Sequence, residues 1–211
     1  MIEEHVYQNY LKALLAGERS ECRDIVRQLL DADIEIKTLY RHLFQRSMYQ
    51  VGELWENNRI TVAKEHLATS ITESLLNLTY PALFATERIG KKAVISCSAN
   101  EYHQIGGKMV ADILELNGWD CHFLGANTPP EEMVKHIQEI SPDFVGLSLS
   151  ILSNIENLKR GIEVIQGDFP NMDLLVGGQA FRWGGIETVQ RYPGIEYIPS
   201  LDQLEQSIEK G

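Results

Sequence analysis

Three short clusters in this 211-residue chain carry side chains able to do chemistry. The first runs Glu101-Tyr102-His103-Gln104-Ile105-Gly106. A neutral imidazole is a common metal donor, so His103 can supply one ligand to a metal. Glu101, two residues earlier, can accept the proton on the other ring nitrogen, which orients the ring and raises its basicity. The second cluster, Ser148-Leu149-Ser150, offers hydroxyl donors to an otherwise apolar cleft. The third is Gly177-Gly178. With no side chains, Gly106, Gly177 and Gly178 are expected to let backbone approach a bulky ligand.

The elements around these clusters suggest how they meet. From Lys91 onward, short apolar runs alternate with helical patterns: KKAVISCS, CHFLG, FVGLSLS, DLLVGG and EYIPS, separated by GGKMVADILELNG, EEMVKHIQEI, NIENLKRGIEVIQ and GIETVQRY, then LDQLEQSIEK. Such alternation predicts an α/β fold with a doubly wound parallel sheet. Five strands fit the flavodoxin-like (Rossmann-like) order 2-1-3-4-5. In that order ligands sit outside the carboxyl ends of the strands, at the switch point between the first and third. All three clusters fall at strand carboxyl ends, so topology brings them to one edge.

Residues 1 to about 86 read as helical throughout. VYQNYLKALLAG stops at Gly17, and SECRDIVRQLLDAD starts at Ser20, a candidate cap. The longest pattern, residues 34–56, keeps Ile36, Leu39, Tyr40, Leu43, Met48, Val51 and Leu54 mostly to one stripe. Thr61 can cap a fourth helix that runs toward Pro81. Four helices with short links predict an N-terminal four-helix bundle. The expected domains are 1–88, helical, and 89–211, α/β, with no internal repeat or low-complexity tract.

Composition excludes several functions. Lys plus Arg number 19 against 30 Asp plus Glu, a formal net charge of −11. That balance opposes an electrostatic grip on nucleic acid or an anionic membrane. Cys22, Cys97 and Cys121 lack metal-ligand spacing, and an odd count argues against a disulfide framework, so reduced thiols in a cytoplasmic protein are expected. The polar start MIEEHVYQNY is not a signal peptide, and no apolar run approaches the roughly 20 residues of a membrane span. No Ser-His-Asp, Cys-His or paired-carboxylate set appears, so the isolated chain is not expected to be an enzyme with its own turnover. A nucleotide or flavin module ranks low, because no Gly-rich loop follows the first strand and Glu101 stands where an anion would sit. His42, His122 and His136 show no motif and read as structural or surface residues, and Lys91-Lys92 reads as a solvated strand start.

Together the three clusters resemble the cobalamin-binding family of methionine synthase, corrinoid methyl carriers and cobalamin-dependent light sensors. That family's motif is Asp-x-His-x-x-Gly, then Ser-x-Leu, then Gly-Gly, with similar intervals and a helical cap before the sheet domain. Glu101 stands here in place of Asp, and Ser150 in place of Leu. The resemblance implies that His103 ligates cobalt from the lower face in place of the dimethylbenzimidazole tail. It places Tyr102, Gln104, Ile105 and Gly106 around that ligand, and Ser148, Ser150, Gly177 and Gly178 along the tail's channel.

The stretch from Trp55 to Glu65-His66, with nine residues between, resembles a motif of the adenosylcobalamin light sensors. It implies an indole wall beside the upper ligand, with Glu65 accepting from ribose hydroxyls and His66 able to replace a lost upper ligand. Adjacent helical residues point in different directions, which limits how many of these face one ligand. The implied cofactor is adenosylcobalamin or methylcobalamin. The implied role is a light- or cofactor-sensing module acting through a signalling protein, or else a methyl carrier serving a methyltransferase. Self-association is left open, and no direct contact with nucleic acid or membrane is expected.

Overall fold

The computed structural model describes residues 2–83 and 85–208. The chain divides into two compact units, Met1–Ala82 and Leu83–Gly211.

The first unit is helical. Helix α1 (Glu4–Ala16) ends where Gly17 takes a left-handed φ of 78° and its N–H returns to the last turn. Helix α2 (Arg19–Asp31) starts one residue before Ser20, so that serine lies inside the helix and does not cap it. The long third pattern is one continuous helical run: α3 (Ile36–Leu39), a π-helical turn over Tyr40–Gln45, and α4 (Arg46–Glu56). The fully buried positions Leu39, Leu43, Ser47 and Val51 recur every four residues. An α-helix would rotate such a series slowly off its face, and the wider π turn restores the phase. Thr61 does cap α5 (Val62–Leu76), its hydroxyl accepting from the Lys64 N–H at 3.3 Å. A 3-10 turn (Asn77–Thr79) then leads into α6 (Tyr80–Leu83), so Pro81 follows a tightened turn instead of ending α5. Helix α1 packs on α2 and α5, and α4 packs on α5. Tyr10, Tyr40 and Phe44 cluster in the core with ring centroids 5.9–6.2 Å apart.

The second unit is a five-stranded parallel sheet in the order β2-β1-β3-β4-β5, as expected. Its strands are β1 (Lys92–Cys97), β2 (Asp120–Gly125), β3 (Phe144–Ser148), β4 (Asp173–Gly177) and β5 (Ile195–Ile198). The connecting helices are α7 (Ile105–Leu116), α8 (Pro130–Ile140), α9 (Ile155–Asp168) and α10 (Ile186–Val189), and α11 (Leu201–Ile208) follows the last strand. Glu209 and Lys210, expected in that last helix, lie outside the described residues.

Side chains alternate between the two faces of the sheet. On one face Ala93, Ile95, Trp119 and Phe144 pack with Ala111 and Leu114 of α7. On the other, Val94, Val145, Leu147 and Val176 pack with Met133 and Ile137 of α8 and Leu158, Ile162 and Ile165 of α9. The parallel register sets Cys97 beside Ser148 and Ser148 beside Gly177, so three strands end level with one another. A bulge in the β1–β2 pairing between Ile95 and Ser96 shifts Gly125 to that same edge. Among the described residues no helix is long and apolar enough to cross a membrane.

Candidate functional site at the carboxyl edge of the sheet

The loop from β1 to α7 carries the first cluster. The Glu101 side chain is fully buried while the His103 side chain is 44% exposed. Nδ1 of His103 lies 2.6 Å from Oε1 of Glu101. The same oxygen accepts the His103 backbone N–H at 3.0 Å. The other carboxylate oxygen accepts the N–H groups of Ser150 and Ile151 at 2.9 and 3.0 Å. Burial alone would raise the Glu101 pKa. Hydrogen bonds from the His103 ring and from the amides of His103, Ile151 and Ser150 outweigh that effect and bring it down to about 2. Glu101 is therefore a carboxylate, a pure acceptor, and Nδ1 of His103 must carry the proton between them. Nε2 is then the ring nitrogen suited to a metal.

Beneath this pair, the Cys97 thiol points at the His103 carbonyl across 3.7 Å. Burial, and then the nearby Glu101 charge, push its pKa up to about 12, so it stays a neutral donor. Three asparagines tie the neighbouring loops together. Asn100 N–H donates to Asn127 Oδ1 at 2.8 Å, Asn127 N–H donates to the Glu101 carbonyl at 2.9 Å, and Asn154 Nδ2 donates to the Asn100 carbonyl at 3.1 Å. Asn100 and Asn127 have left-handed φ angles of 61° and 52°, a conformation that asparagine tolerates. Only their tolerance of that conformation hinted at this brace in the sequence.

The glycines divide by cause. A Cβ on Gly106 would meet nothing within 4 Å, so that side of α7 is open. A Cβ on its neighbour Gly107 would lie 3.1 Å from Phe123 and 3.6 Å from Ser148, so Gly107 lets α7 settle on the sheet. Gly177 and Gly178 already have a reason within the fold. A Cβ on Gly177 would sit 2.8 Å from the Ile198 carbonyl, and one on Gly178, whose φ is 117°, would sit 2.1 Å from the Leu149 carbonyl. The backbone of Ile198 in β5 and of Leu149 just past β3 thus requires both glycines, whatever else approaches them at this edge.

Ser148 is buried at the end of β3, and Ser150 is half-buried beyond it. Ser98, just past β1, is also buried, and its hydroxyl has no hydrogen-bond partner. Tyr102 is 66% exposed, Gln104 precedes the first turn of α7, and Ile105 is buried. This edge fits a corrinoid cofactor. It offers an exposed imidazole held in one tautomer, open space at Gly106 and an orphaned buried hydroxyl able to receive a polar tail group.

In the helical unit, Trp55 lies near the end of α4 and is 37% exposed. A tight link follows, with the Asn58 N–H returning to the Trp55 carbonyl at 2.9 Å and the Arg59 N–H to the Leu54 carbonyl at 2.8 Å. Glu65 and His66 do diverge, their side chains being 11% and 73% exposed, although His66 Nε2 comes within 3.6 Å of Glu65 Oε2. Glu65 accepts from the Thr69 hydroxyl at 2.8 Å, so part of its acceptor capacity is used inside the unit.

Comparison with known proteins agrees with this geometry. A family model described as a B12 binding domain matches residues 91–199, and a second model of the same description matches residues 6–79. The HTH-type transcriptional repressor CarH of Myxococcus xanthus is 28% identical over 83% of this chain and 58% of its own length. Dimethylamine corrinoid protein 2 of Methanosarcina acetivorans is 26% identical over 62% of each chain. This chain thus spans about three fifths of the length of either relative. The solved structure of the Methanosarcina barkeri monomethylamine corrinoid protein shares the fold, with a TM-score of 0.80 over 99% of both chains at 14% identity. The chain belongs to the B12-binding family, and its cofactor is a cobalamin.

Proposed function

We propose that His103 is the lower axial ligand of the cobalamin's cobalt, binding through Nε2. The observation that carries this is the 2.6 Å contact between Nδ1 and a fully buried carboxylate. Glu101 holds the ring in one tautomer and keeps electron density on the ligating nitrogen. Ser98, Ser148, Ser150, Gly177 and Gly178 would line the channel for the cofactor's tail, and Tyr102, Gln104, Ile105 and Gly106 would border the corrin's lower side. When bound, the cofactor supplies a cobalt–alkyl bond, which is the reactive element. The protein's part is to fix the ligand, shape the tail channel and control access.

The biological role we propose is sensing, with adenosylcobalamin as the ligand and a change in conformation or assembly as the output. It rests on the Trp55 to Glu65-His66 stretch and on the likeness to a transcriptional repressor over most of the chain. Trp55 offers a flat apolar wall to the upper ligand, and the exposed His66 imidazole can become a ligand. Anaerobic spectra and sizing of the adenosylcobalamin complex before and after green light test this. An unchanged assembly state without a stable photoproduct would sink it. A second reading, a methyl carrier for a methyltransferase, is favoured by the likeness to a dimethylamine corrinoid protein and by the shared fold of a monomethylamine corrinoid protein. Transfer of a methyl group from a partner enzyme to the reduced, protein-bound cofactor would select it.

A further inference from the structure

A second pair of imidazoles lies away from the cobalamin edge, in the amino-terminal half of β2 and the carboxyl-terminal half of α8. Nε2 of His136 is 3.2 Å from Nδ1 of His122, with ring centroids 5.1 Å apart and the planes inclined at 53°. On the far side of the His122 ring, Nε2 lies 3.9 Å from a carboxylate oxygen of Asp120. We propose that His122 and His136 form a two-imidazole chelate for a divalent first-row transition ion, with zinc the simplest probe.

Three features argue for it. Two bonds of about 2.0–2.1 Å meeting at about 90–110° place their nitrogens about 2.8–3.4 Å apart, which brackets the observed 3.2 Å. The rings come from a strand and from the helix packed on it, so both donors sit on regular elements and their spacing is preset. Asp120 lies 3.9 Å from His122 Nε2, on the side of the ring away from His136, so Nδ1 is the nitrogen turned toward the pair. His136 Nε2 currently hydrogen-bonds that nitrogen. Whichever of the two facing nitrogens carries the shared proton, metal binding moves it to the other nitrogen of that same ring, so two lone pairs serve the ion. The His122 side chain is 30% exposed, so water has access. Among the described residues no group of three or more His, Cys, Asp or Glu side chains could hold a metal, so the remaining coordination positions belong to water or an outside ligand. This proposal goes beyond the expectation from the sequence, which read both histidines as structural or surface residues.

Calorimetric titration of the cofactor-free full chain with zinc tests the site. Wild type and His103→Ala should each bind one equivalent that His122→Asn and His136→Gln lose or bind at least about tenfold more weakly, since even an orienting partner is worth roughly 10–100-fold. Equal affinity and stoichiometry in wild type and both pair variants would overturn the proposal, as would the absence of any zinc binding by wild type. Should the variants not fold, electron paramagnetic resonance of wild type with sub-stoichiometric copper(II) decides. Coupling to two imidazole nitrogens is expected, and coupling to fewer overturns it.

Discussion

Ser150 donates its backbone N–H to the Glu101 carboxylate across 2.9 Å and a sequence separation of 49 residues. The same carboxylate holds the His103 ring, so the β3–α9 connection and the proposed cobalt ligand share one anchor. An aspartate, one methylene shorter, would be strained to serve both ends. The glutamate that departs from the family motif thus has a geometric use.

Glu101→Gln should therefore be costly. The amide cannot accept four hydrogen bonds with both of its terminal atoms, so buried N–H groups lose their partner. We expect a loss of about 1–3 kcal/mol in urea unfolding. Cobalamin should bind with a less uniform axial spectrum, because the ring is no longer fixed in one tautomer.

The pH response of that variant provides the sign. Glu101 has a folded pKa of about 2 against an ordinary value of 4.5. A depressed carboxylate pKa contributes stability that is complete above pH 4.5 and is lost as pH falls toward 2. The contribution is on the order of 3 kcal/mol. Wild type should lose more stability than Glu101→Gln between pH 5 and 2, so the gap between them closes on acidification. A gap constant across that range in parallel denaturation series would contradict the assignment.

His103→Ala should keep the fold, since the ring is substantially exposed. Its cobalamin spectrum should change to that of the base-on cofactor, or binding should weaken. A variant whose spectrum and affinity match wild type would remove His103 from the cobalt.

Gly178→Ala and Gly106→Ala should behave oppositely. The first forces a side chain into a φ of 117° and against the Leu149 carbonyl, so loss of more than about 2 kcal/mol or of soluble expression is expected. The second adds a methyl group to open space in the first turn of α7 and should leave the melting temperature unchanged or slightly raised. If Gly106 borders the corrin, the same methyl should weaken cobalamin binding.

Most of the sheet unit was legible because periodicity reports which side chains face a core. Strand order, the boundaries of β1 to β5 within about two residues and the meeting of three clusters at one edge all followed from it. The π turn at Tyr40–Gln45 did not, since a four-residue recurrence looks regular until the helix must carry it. Nor did the cause of Gly177-Gly178, which depends on carbonyls of Ile198 and Leu149 that only pairing brings near. Glu101 and His103 were legible as a pair, but the Ser150 and Ile151 amides were not, because backbone donors have no signature in the sequence. The pairing of His122 with His136 needed the packing of α8 on β2.

The asparagine contacts that join residues 100, 127 and 154 have an implication for engineering and for evolutionary exchange. The three connections they link act as one mechanical part. A graft that imports the β1–α7 loop of a relative without its two companions would arrive without its braces, whereas moving all three together would carry the site's alignment with it.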